Sequence, residues 1–398
     1  MLTNHSELTL QTLTEQTQHF VDIPLKAARS RSTASALTES PVASDSISTE
    51  QSQMESTTIY PIPATLIPGD GIGPEVVAAT VHVLDALGSP FVWDIQQAGI
   101  AGVTDCGDSL PVKTLESIRK TKLVLKGPLT TPIGDGFRSS NVRLREEFNL
   151  FANVRPVSTL IPGRYDKVDL VLVRENLGGF YVAHEYYIPV GDDPKAVAVA
   201  TGVNTRDACI KIARFAFEYA VKHGRKKITI VHKANILKAL TGLFLEAARE
   251  VALEYEDQVE TDDIIVDACA MQLVLNPWKF DMLLCTNLFG DILSDQLAGL
   301  VGGLGMAPGA NYGSDIAIFE AVHGSAPDIA GKGVANPISV LLASALMLEH
   351  VGLGELASRL RTSITTTLRT DRIWTRDLNG TASTGQFSEA VIRRLATT

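Results

Sequence analysis

From Pro61 onward, short apolar runs, glycine-bearing turns and helix-like stretches alternate along the chain. That alternation restricts it to folds in which helices cover a largely parallel sheet. The first unit is the clearest: a strand expected over 64–68, a turn from Gly69 to Gly73, then a helix opened by Pro74 and running to Leu87. Further strands are expected at 123–125, 170–173, 228–231, 264–266 and 282–285, and long helices at 205–223, 239–256, 291–301 and 337–350. In α/β folds of this kind, functional residues gather at strand ends.

With 398 residues, 45% of them hydrophobic, the chain is long enough for two domains or one large α/β unit. A net charge of -10 argues against nucleic acid or an anionic membrane as the main partner, so an anionic ligand has to be met by a local basic cluster. Cys106, Cys209, Cys269 and Cys285 are scattered, with neither paired spacing nor a histidine at zinc spacing, which fits a reducing compartment. No apolar run approaches the roughly 18 to 20 residues that cross a bilayer.

Residues 1–59 differ in composition: they are rich in Ser, Thr and Gln, with Lys26, Arg29 and Arg31 against seven acidic residues. They read as a disordered extension, within which residues 8–25 have the pattern of a short amphipathic helix. Neither the Arg-rich, acid-poor pattern of a mitochondrial presequence nor that of a secretory signal is present.

Five constellations carry chemistry. Asp291 and Asp295, four residues apart on an expected helix, can offer oxygens to one hard divalent cation. Their neighbours Leu288, Phe289, Ile292, Leu293, Leu297 and Leu300 make a bare carboxylate pair costly without a cation. Gly69-Asp70-Gly71-Ile72-Gly73 is either a phosphate-cradling loop or a tight turn, and lacks the dinucleotide fingerprint. Arg145, Arg155 and Arg174, with Ser139 and Asn141 nearby, suit a ligand with several carboxylates. In that group Asn141 and Arg145 share a helix face beside an apolar face of Leu144, Phe148 and Phe151, and Arg155 and Arg174 are expected at or near strand ends. Arg138, Arg143 and Arg164 read as structural or solvated. Lys233 follows a strand in an apolar setting and is either a proton acceptor or a surface lysine. Asp267 is a third carboxylate after a strand, placed to complete a metal site.

Taken together, Ile67 to Glu75, Lys126 to Pro132, Arg174-Glu175-Asn176, Tyr181, His232 to Asn235, Asn287 to Asp295 and His323 to Gly331 resemble the isocitrate/isopropylmalate dehydrogenase family, over about residues 62 to 397. The resemblance implies a two-domain α/β fold with a central twisted mixed sheet, not a Rossmann domain. Residues 62–150 with 302–398 would form the large domain and 151–301 the small one, with a segment near 181–203 reaching a partner. It also implies oxidative decarboxylation of a 3-substituted malate with NAD and Mg2+ or Mn2+, in a homodimer with shared active sites.

By the same resemblance, Asp291 and Asp295 hold the metal together with Asp267 from the partner. Lys233, also from across the dimer, helps remove the hydroxyl proton, and Tyr181 protonates the enolate. Arg145, Arg155 and Arg174 hold the carboxylates common to these substrates. Ser139 and Asn141 match the pair that binds the γ-carboxylate of isocitrate, favouring isocitrate over isopropylmalate, homoisocitrate or tartrate. Leu177 to Phe180 departs from the usual isocitrate pattern, which leaves room for a more anionic substituent such as a phosphonate. Asp328-Ile329 stands where NADP-using relatives carry Lys and Tyr, which favours NAD. Thr130, Glu320, His323, Gly324 and Asn336 are further cofactor contacts, His323 being equally readable as a structural histidine. A non-catalytic regulatory subunit is the rival reading, set against the presence of Tyr181, Lys233 and the three aspartates. The cytoplasm is the expected location, or the mitochondrial matrix in a eukaryote.

Overall fold

The computed structural model describes residues 60–132 and 137–398, so the extension over 1–59 and the amphipathic stretch over 8–25 lie outside the described residues. Ten strands form one mixed sheet in the order β2-β1-β3-β12-β11-β4-β5-β10-β8-β9. The first five in that order are β2 (Phe91–Ile95), β1 (Ile62–Ile67), β3 (Leu123–Lys126), β12 (Ala317–Ala321) and β11 (Pro308–Tyr312). The other five are β4 (Ala152–Ser158), β5 (Asp169–Glu175), β10 (Met282–Cys285), β8 (Lys227–His232) and β9 (Glu260–Ile265). β2, β1, β3 and β12 are mutually parallel, as are β5, β10, β8 and β9, and the two blocks are joined through antiparallel β11 and β4. The α/β expectation therefore holds, and the mixed order excludes a Rossmann sheet.

Alternation along the inner strands feeds two cores. Leu170 and Leu172 of β5 and Leu283 and Cys285 of β10 enter one cluster. Val171, Val173, Met282 and Leu284 enter the other, as the two-residue period of a strand covered on both faces requires. The helices Arg206–Lys222 and Leu240–Ala252 pack on the second face, whereas Ile338–His350, buried nearly all round, lies over β11 and β12. Separate from the main sheet, β6 (Gly179–Val190) and β7 (Asp193–Val203) form an antiparallel hairpin with exposed Tyr186, Tyr187, Ile188, Val190 and Val197.

Several expected boundaries move. The helix after β10 begins at Asn287 rather than 291, residue 266 belongs to the helix Val266–Leu275 rather than to a strand, and Arg155 lies mid-strand in β4. Phe151 is not on the helix Ser140–Glu147: it precedes β4 and packs edge-on against Phe215, while Leu144 and Phe148 do seat that helix.

The glycine loop after β1 is a packed turn. Asp70 accepts the backbone N–H groups of Ile100 at 2.9 Å and Thr130 at 2.7 Å, and an added methyl at Gly71, where φ is +57°, would stand 2.0 Å from the Ser325 carbonyl oxygen. Only glycine tolerates both the positive φ and that approach. Gly71→Ala is expected to lower the unfolding free energy by about 2–4 kcal/mol in a urea titration; an unchanged midpoint would contradict this account of the loop.

Candidate active site

One face of the sheet carries a polar stripe where the two blocks meet. The two-residue period puts Asn153 and Arg155 of β4 on that face, and the register Asn153↔Arg174 brings Arg174 of β5 beside them. The helix Asn287–Val301 lies over the stripe, with Leu293 and Leu297 in the core and Asn287, Asp291, Ser294 and Asp295 toward the arginines. Arg174 is 1% exposed. Its Nε and Nη2 donate to Asn287 Oδ1 at 3.1 and 2.7 Å, and its Nη1 pairs with Asp291. An added methyl at Gly290 would stand 2.7 Å from Arg174 Cγ, so the missing side chain there makes room for the arginine.

Arg155 donates from Nη1 to Ser294 Oγ at 2.5 Å and lies 3.5 Å from both Asp291 and Asp295. The cations that answer the aspartate pair inside this chain are therefore guanidinium groups. The expected apolar surround is absent: Ile292 is exposed, and Leu293 and Leu297 turn to the core. Burial raises the Asp291 carboxyl, but Arg174, Arg155 and the Tyr181 hydroxyl outweigh it and bring it below the ordinary range. Asp295 is shifted upward, chiefly by burial and further by the charge of Asp291, with Arg155 opposing. Tyr181, on β6, donates its hydroxyl to Asp291, and burial together with that bond raises its pKa and keeps the phenol protonated.

A cavity of about 270 Å³ opens beside the stripe. Nine residues singled out in the sequence line it: Ser139, Asn141, Arg145, Arg155, Tyr181, Asp291, Glu320, His323 and Gly324. Ser139 caps the helix Ser140–Glu147, which presents Asn141 and Arg145 a turn apart. Burial, then the neighbouring charge of Arg174, lowers the Arg145 guanidinium to about 10. An additional anion in the cavity would relieve that repulsion.

Lys126, at the end of β3, was not singled out. Its Nζ is 2.8 Å from Glu320 Oε2, inside the same cavity. A lysine ending an apolar strand is the very signal that drew attention to Lys233, and it marked Lys126 equally well.

His323 and Gly324 also line an adjoining cavity of about 300 Å³, with Ile329 and Asn336. Because the Gly324 carbonyl only accepts, His323 Nδ1, 2.9 Å away, carries the proton. His323 Nε2 is then an acceptor, and it and Asn141 Oδ1 are buried without a partner among the described residues. Thr130 is tied to Asp70 and to Ser325 beside this joint, and Asp328 is exposed with its carbonyl holding Lys332.

Lys233 and Asp267 line neither cavity and pair with each other, so the setting of Lys233 is ionic rather than apolar. Among the described residues no three His, Cys, Asp or Glu side chains of this one chain cluster as metal ligands. Leu177 to Phe180 also lies outside the cavity lining; its backbone is held by Glu175, Asn204 and Asn287. Arg138, Arg143 and Arg164 have structural partners: Glu146, Asp108 and the Tyr165 ring.

Fold and site define a mixed-sheet α/β protein with a cavity built for an anionic ligand. A family model described as isocitrate/isopropylmalate dehydrogenase matches residues 64–391, and the chain belongs to that family. It is 44% identical over 339 residues to isocitrate dehydrogenase [NAD] catalytic subunit 5, mitochondrial, of Arabidopsis thaliana, covering 84% of this chain and 89% of the relative. It is 45% identical over 311 residues to the chloroplastic 3-isopropylmalate dehydrogenase of Solanum tuberosum, covering 77% and 85%. The solved isocitrate dehydrogenase of Methylococcus capsulatus superposes with a TM-score of 0.81 at 51% identity, over 84% of this chain and 99% of that one.

Burial raises the Glu320 carboxyl, but Lys126, Arg145 and the Asn311 amide outweigh it and bring it from 4.5 to about 2. Its contribution to stability is therefore complete above the unfolded value and is lost as pH falls from about 4.5 toward 2. Glu320→Gln is expected to flatten the pH dependence of stability in that window, measured by urea titration; an unaltered slope would contradict the assignment.

Proposed function

We propose that the chain catalyses the oxidative decarboxylation of isocitrate to 2-oxoglutarate with NAD and a divalent cation, Mg2+ or Mn2+. The observation that carries this reading is the convergence of Arg145, Arg155 and Lys126 with Ser139, Asn141 and Tyr181 on one cavity. Cationic forks suit the carboxylates common to substituted malates, and Ser139 and Asn141 suit the third carboxylate of isocitrate. Arg155 serves two sets of anions, the aspartates and the substrate, whereas Arg174, buried and outside the cavity lining, holds Asn287 and Asp291 in place instead of meeting the substrate itself.

Asp291 and Asp295 fit a hard cation: both offer oxygens from one face of the helix Asn287–Val301, a turn apart. Asp267 of the partner subunit would complete the set. The Tyr181 phenol, kept protonated by burial and its bond to Asp291, would return a proton to carbon after CO2 leaves, and Lys233 of the partner subunit would accept the hydroxyl proton. The adjoining cavity, lined by His323, Gly324, Ile329 and Asn336, suits the cofactor: His323 Nε2 would accept from a ribose hydroxyl, Glu320 of the neighbouring cavity and Thr130 would be further contacts, and Asp328 with Ile329 would disfavour a 2′-phosphate.

We read the two halves of the sheet, 62–150 with 302–398 and 151–301, as domains that close on the substrate. The apolar residues exposed on the hairpin over 179–203 suit a partner, either a second copy or a related subunit, the latter supported by the subunit name of the Arabidopsis relative. Unpaired cysteine spacing suits the cytoplasm or the mitochondrial matrix. A second substrate, 3-isopropylmalate, is favoured by the Solanum relative alone.

The test is NADH formation by the purified chain with Mg2+ on D-isocitrate, 3-isopropylmalate and homoisocitrate. Isocitrate with NAD is expected to give the highest kcat/KM, Tyr181→Phe is expected to lower kcat by about 10²–10⁴-fold, and EDTA is expected to abolish turnover. A higher kcat/KM with NADP overturns the cofactor assignment, preference for another acid overturns the substrate, and silence on all three overturns the reading.

A further inference from the structure

Behind the cavity, two asparagines join its two ends and a third braces them. Arg155 Nε donates to Asn153 Oδ1 at 2.7 Å, Asn153 Nδ2 donates to Asn311 Oδ1 at 2.8 Å, and Asn311 Nδ2 donates to Glu320 Oε1 at 2.7 Å. Asn176 Nδ2 adds a second donor to Asn311 Oδ1 at 2.9 Å. Asn153 is 0% exposed and Asn311 and Asn176 are 2% exposed, so bulk water does not replace these bonds.

The direction of the chain is forced. Arginine only donates and an ionised glutamate only accepts, so each asparagine must turn its oxygen toward Arg155 and its nitrogen toward Glu320. Two amide dipoles are thus aligned head to tail between a cation and an anion, the arrangement in which each bond polarises the next. Strand register builds it: Asn311↔Asn153 is a direct cross-strand pair, and Gly309, opposite Glu320, puts no side chain in the way.

We propose that Asn153 and Asn311 are positioning residues of the reaction. They fix the guanidinium plane of Arg155, which faces the substrate, and tie it to the Lys126–Glu320 pair across the same cavity, at the end of β12 that leads into His323 and Gly324, the residues shared with the cofactor cavity, so that the two binding sites are aligned by one relay. The proposal rests on the function proposed above.

It is tested by steady-state kinetics with isocitrate and NAD, alongside thermal melting, on Asn153→Ala, Asn153→Asp and Asn311→Leu. Asn153→Ala is expected to raise the KM for isocitrate about tenfold or more while moving the KM for NAD less than about twofold. Asn311→Leu, which touches both ends, is expected to raise both. Asn153→Asp still offers an oxygen to Arg155 Nε and is expected to bring the isocitrate KM back toward wild type without restoring the link to Asn311. A lower Tm with both KM values unchanged makes the asparagines structural only and overturns the proposal. Should Asn311→Leu fail to fold, the two Asn153 variants decide it. A wild-type chain that reduces NAD with another hydroxy acid but not with isocitrate overturns the functional reading, and this proposal with it, whereas a working wild type with unaffected variants overturns the relay alone.

Discussion

Arg174 lies almost wholly out of water inside the sheet, and a buried guanidinium has to be met by acceptors on every fork. Asn287 and Asp291 meet it, and both stand on the first two turns of one helix. That requirement fixes how the helix Asn287–Val301 sits on the sheet. Gly290 must face the arginine, Leu293 and Leu297 then point to the core, and Asp295 is carried a turn beyond Asp291, 3.5 Å from Arg155. The same rotation leaves Asp291 shared between Arg174, Arg155 and Tyr181, so a tyrosine from the hairpin strand β6 is tied to the main sheet through one carboxylate.

The sheet topology places these groups where two differently directed blocks meet. Strands β11 and β4 lie side by side there, and their side chains on the shared face are polar: Asn311, Asn153 and Arg155. Buried polar groups hold a fold only when each finds a partner, and here the partners continue from one block into the other, ending on the Lys126–Glu320 pair. Arg155 and Glu320, on opposite blocks of the sheet, are thus parts of one connected network.

That network also explains what was legible in the sequence. The inner strands β5, β8 and β10 are continuous apolar runs and were placed to within two residues, as was the helix Gly73–Leu87 with its proline start. β4 and β12 escaped notice because their interiors carry Asn153, Arg155 and Glu320, residues that weaken an apolar pattern because they serve the site. For the site, the arginines and the aspartate pair were legible as residue types at meaningful spacing, and Tyr181 only through the family resemblance. That the arginines themselves neutralise the aspartates was not, since it depends on register between β4, β5 and a helix more than a hundred residues later. Lys233 and Asp267 pair away from the cavity because their elements, the turn after β8 and the first turn of the helix Val266–Leu275, adjoin each other at the far edge of the sheet.

The central claim is that the arginine-lined cavity and the aspartate pair form one substrate and metal site. The most direct measurement is a crystal structure grown with Mn2+ and D-isocitrate, with the ion located by its anomalous scattering. The account predicts Mn2+ against Asp291 and Asp295, with substrate carboxylates on Arg145 and Arg155 and the third carboxylate at Ser139 and Asn141. An ion bound away from both aspartates, or a substrate bound outside this cavity, would contradict it.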